Sequence, residues 1–230
     1  PPMATPRSTT TTTKRSKPTP RRQRPTTILL VRHGKTATTG AVLPGRAAGL
    51  HLDDTGRAQA DGAGARIGEL KKVAAVYASP LERAQETAAP IAAACGLTTI
   101  VEPGLLECDF GEWTGADLAK LRKRREWATV QRAPSAFRFP GGESFSEMQA
   151  RIVTTLERLR HAHPGKTIVC VSHADVIKAA VAHAVGTHLD LFQRIVISPC
   201  SVSALSWTAE GPIALAINST GRSLRELSPS

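Results

Sequence analysis

The sequence predicts a three-layer α/β/α sandwich with a mostly parallel central sheet. Three observations carry this. Apolar runs of strand length alternate with longer helical stretches along the chain, the pattern in which helices cover both faces of a parallel sheet. The run Ile28-Leu29-Leu30-Val31 is apolar without alternation, as strands buried on both faces are. Finally, 230 residues with 41% apolar content suffice for one α/β domain with a sizeable core. Aromatics make up only 4%, and abundant alanine in their place suits closely packed helices.

Residues 1–25 stand apart. They hold five consecutive threonines (Thr9–Thr13), six prolines, seven Lys or Arg and no acid. A segment so poor in apolar residues cannot offset its ordering entropy, so a disordered basic tail is expected. Pro1-Pro2 ahead of Met3 reads as a fragment or an uncertain start. One domain is expected over 26–222, followed by a short tail at 223–230.

The first strand covers 26–32 and ends in Arg32-His33-Gly34. Residues 34–52, rich in Gly and Thr, form a loop able to wrap a ligand. Asp53 is placed to N-cap a helix to about Leu70, with Asp54 near the positive helix end. Val73–Ala78 is a second strand, Leu81–Ala94 a helix closed by Gly96, and Thr98–Val101 a third strand. Leu105–Gly115 reads as loop and Ala116–Val130 as one charged helix. Pro140-Gly141-Gly142-Glu143-Ser144 breaks the chain. Ser144 with Glu147 forms a capping box for the next helix, which Pro164-Gly165 stops after about His163. Thr167–Ser172 is a fourth strand, His173 opens another helix, and Cys200–Trp207 and Ile213–Asn218 are the last strands.

Residues able to do chemistry fall at the strand ends, where open α/β sheets place their ligands. At the first, Arg32 offers a planar fork of donors suited to phosphate oxygens. His33 can attack in covalent catalysis, and Gly34 lets backbone approach an anion. Ser79-Pro80-Leu81-Glu82-Arg83-Ala84-Gln85-Glu86-Thr87-Ala88 follows the second strand, and Val171-Ser172-His173-Ala174 ends the fourth. With these runs in hand the sequence resembles the histidine phosphatase superfamily, the phosphoglycerate-mutase-like group, over about residues 26–220.

The resemblance implies that His33 is phosphorylated during turnover and that Arg32, Arg83 and His173 grip the phosphoryl group. It implies that Glu107, in Leu106-Glu107-Cys108-Asp109-Phe110-Gly111, is the proton donor. Thr36, the backbone of Gly34 and Ala174 would complete the phosphate site. The physical logic agrees: phosphoryl transfer is mostly positioning and neutralisation of charge spread over three oxygens. Two arginines and two imidazoles hold a tetrahedral dianion by charge-assisted hydrogen bonds. A carboxyl that donates near neutral pH needs a pKa raised by burial. His33 is expected to face the surface and contribute little packing.

Departures from the family pattern leave the substrate open. Thr39 and Ala48 stand where relatives commonly carry Asn and Gln, and Ala174-Asp175 replaces a glycine pair usual after the second histidine. Hydrolysis is expected over mutase chemistry. His173 follows Glu107 by only 66 positions, whereas the family's mutases carry longer insertions there that close over a bisphosphorylated intermediate. The rival from another class is a non-catalytic phosphate- or nucleic-acid-binding module, whose basic tail engages nucleic acid or an acidic partner beside a vestigial pocket.

Composition bounds the rest. Of the net +11, seven positive charges lie in the tail, which leaves +4 for the remainder, so nucleic acid is expected to bind at most weakly, through the tail. The expected partner is a small phosphorylated substrate. No apolar run approaches the eighteen or so residues of a membrane span. Cys95, Cys108, Cys170 and Cys200 are widely spaced, which favours reduced thiols in a cytosolic protein. No His or Cys cluster has metal-ligand spacing, and no metal or other cofactor is expected. Arg122-Lys123-Arg124-Arg125 reads as a solvated helix face, and Trp113 and Trp127 either line the pocket or pack. His161 and His163 sit at a helix end with no ligand role, and the oligomeric state is left open.

Overall fold

Successive side chains of a strand point to opposite faces, and the first strand shows what that does to the chain's apolar content. In β1 (Thr26–Arg32), Ile28 and Leu30 enter one core while Leu29 and Val31 enter another, all four at most 1% exposed. Each such side chain contributes about 1.5–3 kcal/mol by leaving water. An unalternating apolar run is thus what a strand covered on both faces requires. The structure, a computed structural model, describes residues 24–221. Nearly all of the expected basic tail, and residues 222–230, lie outside the described residues.

After β1 come β2 (Val42–Leu43), α1 (Asp54–Gly68), β3 (Ala75–Ala78), α2 (Glu82–Ala94), β4 (Thr99–Val101) and β5 (Ala116–Asp117). Then follow α3 (Leu118–Leu121), α4 (Glu126–Arg132), α5 (Phe145–Ala162), β6 (Thr167–Ser172), α6 (Ala174–Ala184), β7 (Val202–Thr208) and β8 (Gly211–Ser219). The main sheet runs β4-β3-β6-β1-β7-β8. Its first four strands are parallel, and β7 and β8 close one side as an antiparallel hairpin.

Helices α1 and α2 cover one face through Ala60, Ala63, Ile67, Ala84, Ala88 and Ile91. The other face carries α5 and α6, through residues such as Met148, Ile152, Leu156, Val176 and Ile177. The expected use of alanine is visible between α1 and α2. A Cβ on Gly64 would lie 2.9 Å from the Pro90 carbonyl oxygen, so the two backbones nearly touch there. Both expected caps are present: Asp53 accepts from Gly56 N, and Ser144 with Glu147 forms the reciprocal box.

The single helix expected over 116–130 is instead three pieces. Ala116–Asp117 pairs with Val42–Leu43, the Asp117 side chain caps α3, and α4 starts afresh at Glu126. Leu121 and Val130 are both 3% exposed in the same core. Nine residues are two and a half turns of a straight helix, so unbroken they would face opposite ways. The break lets both pack. Arg122-Lys123-Arg124-Arg125 accordingly lies in an exposed turn, not on a helix face. Trp113 and Trp127 pack: they stack at 6.4 Å within a cluster containing Phe137 and Phe139.

Candidate active site

Parallel pairing brings the carboxyl ends of β1, β3, β4 and β6 to one edge of the sheet. His33 N donates to Ser172 O at 2.9 Å, Ser79 N to Val171 O at 3.0 Å, and Glu102 N to Ala78 O at 2.8 Å. The loops that follow these strands therefore leave side by side. Arg32 ends β1 and His33 directly follows it, Arg83 comes from the first turn of α2, Glu107 from the segment after β4, and His173 from the N-cap of α6.

Arg83 is fully buried and Arg32 half-buried. Arg83 Nη2 donates to Gly45 O and Arg32 Nη1 to Ile197 O, both at 2.7 Å. Arg83 Nε, Arg83 Nη1 and Arg32 Nε have no hydrogen-bond partner among the described residues. Burial is also the chief force lowering both guanidinium pKa values. Buried donors left unspent are costly, and they persist where a ligand completes them.

His33 is only 5% exposed, which corrects the expectation of a surface-facing side chain. Its Nδ1 lies 2.7 Å from the Gly34 carbonyl, which can only accept, so Nδ1 carries the proton and Nε2 keeps its lone pair. Burial first, then Arg83 and Arg32, push its pKa down to about 3, so the ring is neutral at ordinary pH. His173 lies beside it, ring centroids 5.2 Å apart. Its Nε2 is 2.8 Å from Ser79 Oγ, and its Nδ1, without a hydrogen-bond partner, is 4.0 Å from Glu107 Oε2. Burial, then His33 and the arginines, hold its pKa well below normal.

Glu107 is 7% exposed and accepts at Oε1 from Cys108 N at 2.9 Å. Burial first, then the charge of Asp175, push its pKa up to about 7, against the pull of Arg83 and Arg32. A carboxyl in that range carries a proton it can give near neutrality. Asp175 itself is paired to Lys178 Nζ at 3.1 Å. The departure from a glycine pair thus places a charge that acts on the acid. Replacing Asp175 by Asn should lower the Glu107 pKa and move the alkaline limb of a kcat–pH profile to lower pH.

The remaining expected phosphate ligands fare differently. Gly34 N donates to Thr87 Oγ1 at 3.0 Å, and Thr87 Oγ1 donates on to Arg83 O at 2.7 Å, so the expected backbone donor is spent within the protein. A Cβ on Gly34 would sit 2.6 Å from Gly56 O. Glycine is required there by close packing on α1, and Gly34→Ala should cost about 1–3 kcal/mol in denaturant unfolding. Thr36 is buried, its hydroxyl 3.0 Å from that of Thr39 and its N–H donating to the same Thr39 oxygen at 2.9 Å. Its hydroxyl serves the 36–39 turn. Ala174 is the first residue of α6, whose leading N–H groups have no partner within the helix and suit an anion.

Sequence reasoning passed over Ser79 and Thr87 as individuals, although both stand inside the run quoted for Arg83. It also passed over Arg46, whose Nε donates to Glu107 O at 2.8 Å. No local signal marks Arg46. His51 pairs with Glu86, and His163 Nε2 is 2.8 Å from Tyr77 Oη, so both imidazoles have structural partners. Among the described residues, no group of three or more His, Cys, Asp or Glu is arranged to hold a metal ion.

The model of the histidine phosphatase superfamily (branch 1) matches residues 28–220. The chain belongs to that superfamily. It is 30% identical over 203 residues to the Bifunctional protein Rv2228c of Mycobacterium tuberculosis, covering 86% of this chain and 55% of that one. It thus spans about half the length of the first curated relatives it matches. Phosphoserine phosphatase 1 of Hydrogenobacter thermophilus is 28% identical over 84% of this chain and 92% of its own. Among solved structures, Bacillus stearothermophilus YhfR superposes with a TM-score of 0.78 at 26% identity, covering 85% of this chain and 98% of that one.

Proposed function

We propose that this protein hydrolyses a phosphate monoester through a phosphohistidine formed at His33. The observation that carries the reading is the unspent N–H groups of Arg32 and Arg83, with His173 Nδ1, beside a neutral His33 whose Nε2 bears the lone pair. In the first step His33 Nε2 attacks phosphorus and the ester P–O bond breaks. The proton of Glu107 passes to the departing alkoxide. In the second step water attacks phosphorus, the N–P bond breaks, and Glu107 regains a proton as inorganic phosphate leaves. The arginines and His173 meet the charge that builds on the phosphoryl oxygens.

Membership of the superfamily and the phosphatase names of relatives support hydrolysis. The alternative is mutase-type transfer to a second hydroxyl. Against it, β5, α3, α4, α5 and β6 divide the 66 positions from Glu107 to His173 into short connections, which leaves little chain for a lid. The substrate class is a small phosphorylated molecule. Among the described residues no helix is long and apolar enough to cross a membrane.

The test is a panel of phosphate esters with acid quenching to trap the phosphoenzyme. Phosphate release with an acid-labile phosphoenzyme is expected. Supplied with phosphoglycerate and a bisphosphoglycerate primer, the protein should release phosphate faster than it interconverts isomers. Isomerisation tenfold faster than release would replace hydrolysis with the mutase reading. Glu107→Gln should slow phosphoenzyme formation from an alkyl phosphate by about 10²-fold or more, the usual size of general acid catalysis. The loss should be at least tenfold smaller for p-nitrophenyl phosphate, whose phenolate leaves without a proton.

A further inference from the structure

The Pro140-Gly141-Gly142-Glu143-Ser144 turn does more than start α5. Glu143, 14% exposed at its side chain, spends both carboxylate oxygens. Oε1 accepts from Arg151 Nε at 2.9 Å; Oε2 accepts from Arg151 Nη2 at 2.9 Å and from Arg46 Nη2 and Asp109 N at 3.1 Å. The two arginines so held reach past it to the segment carrying Glu107. Arg151 Nη1 donates to Gly104 O at 2.9 Å and Leu106 O at 2.8 Å, while Arg46 Nε takes Glu107 O at 2.8 Å. The neighbouring Gly45 carbonyl orients Arg83.

The backbones are matched to the same end. Glu143 N donates to Asp109 O and Glu112 N to Pro140 O, each at 2.9 Å. A Cβ on Gly142 would lie 2.4 Å from Asp109 O, and one on Gly111 2.1 Å from Pro140 O. Only glycines let the two segments lie this close. Carbonyls in an irregular segment need donors from elsewhere, and here the donors are fixed by a single carboxylate.

We infer that Glu143, through Arg46 and Arg151, is the positioning residue that holds the acid Glu107 at the leaving oxygen. The inference rests on Glu107 being the proton donor, as proposed above. Neither Glu143 nor Arg151 hydrogen-bonds the side chains of His33, His173 or Glu107 among the contacts described, so the effect is exerted through backbone. Misplacement of a reacting group by an ångström is enough to cost turnover.

The experiment compares Glu143→Gln, Arg151→Lys and Glu107→Gln in the full chain. It measures single-turnover phosphohistidine formation and KM with glycerol phosphate and with p-nitrophenyl phosphate. Glu143→Gln should slow the alkyl ester by about tenfold or more and the aryl ester less than about threefold, with KM unchanged for both. Arg151→Lys, which keeps the charge but loses the fork, should shift in the same direction by less, and it decides the matter if Glu143→Gln does not fold. Equal losses on both esters, or losses confined to KM, would mean a structural role only and overturn the inference. If Glu107→Gln is selective for the alkyl ester and the other two are not, this inference alone fails. If Glu107→Gln shows no selectivity, or wild type turns over neither ester, the proposed function fails and this inference with it.

Discussion

His33→Ala is expected to abolish turnover, with the acid-labile phosphoenzyme of wild type absent. The His33 Nδ1 contact with the Gly34 carbonyl leaves Nε2 with a free lone pair for attack on phosphorus. A residual rate within about tenfold of wild type, roughly 1.4 kcal/mol of barrier, would remove His33 from the mechanism. The stability effect follows from burial. A histidine held neutral to about pH 3 when folded, but protonating at its ordinary 6.5 when unfolded, makes the unfolded chain bind more protons between those values. Stability is therefore lost as pH falls through that window. Removing the ring takes this loss away. His33→Ala should unfold less steeply than wild type on acidification from pH 6.5 toward pH 3, which equilibrium denaturation at several pH values can measure.

Arg83→Met should separate function from stability. The guanidinium is fully buried, carries two unspent nitrogens and makes one hydrogen bond, to Gly45 O. Without it the phosphoryl oxygens lose a charged donor, and kcat/KM should fall by about 10²–10³ or more, as when a donor to a developing anion is removed. The thermal midpoint should rise, because an apolar chain of similar length relieves a buried, incompletely paired cation. An unchanged kcat/KM would place Arg83 outside the phosphate grip. A marked fall in melting temperature would show that the arginine is a structural strut instead.

Much of this protein was legible residue by residue. The unalternating run of β1, the Asp53 cap, the Ser144–Glu147 box and the strand–helix alternation depend on neighbours a few positions apart, and local physics reads them directly. The runs around His33, Arg83 and His173 sit at strand ends because a parallel sheet sends its carboxyl ends to one edge. What tertiary structure alone decided depends on groups far apart in sequence. Whether 116–130 stays one helix turned on where the core lies relative to Leu121 and Val130. Gly34 gives its N–H to Thr87, 53 positions away, rather than to a ligand. The charge states of His33 and Glu107 follow from burial and from Arg83, Arg32 and Asp175, which desolvate and polarise through space. Glu143 looked like a turn residue because its partners Arg46 and Asp109 lie 97 and 34 positions off. Sequence determined which groups the protein has and which edge they reach; packing set their protonation, their spacing and what holds them still.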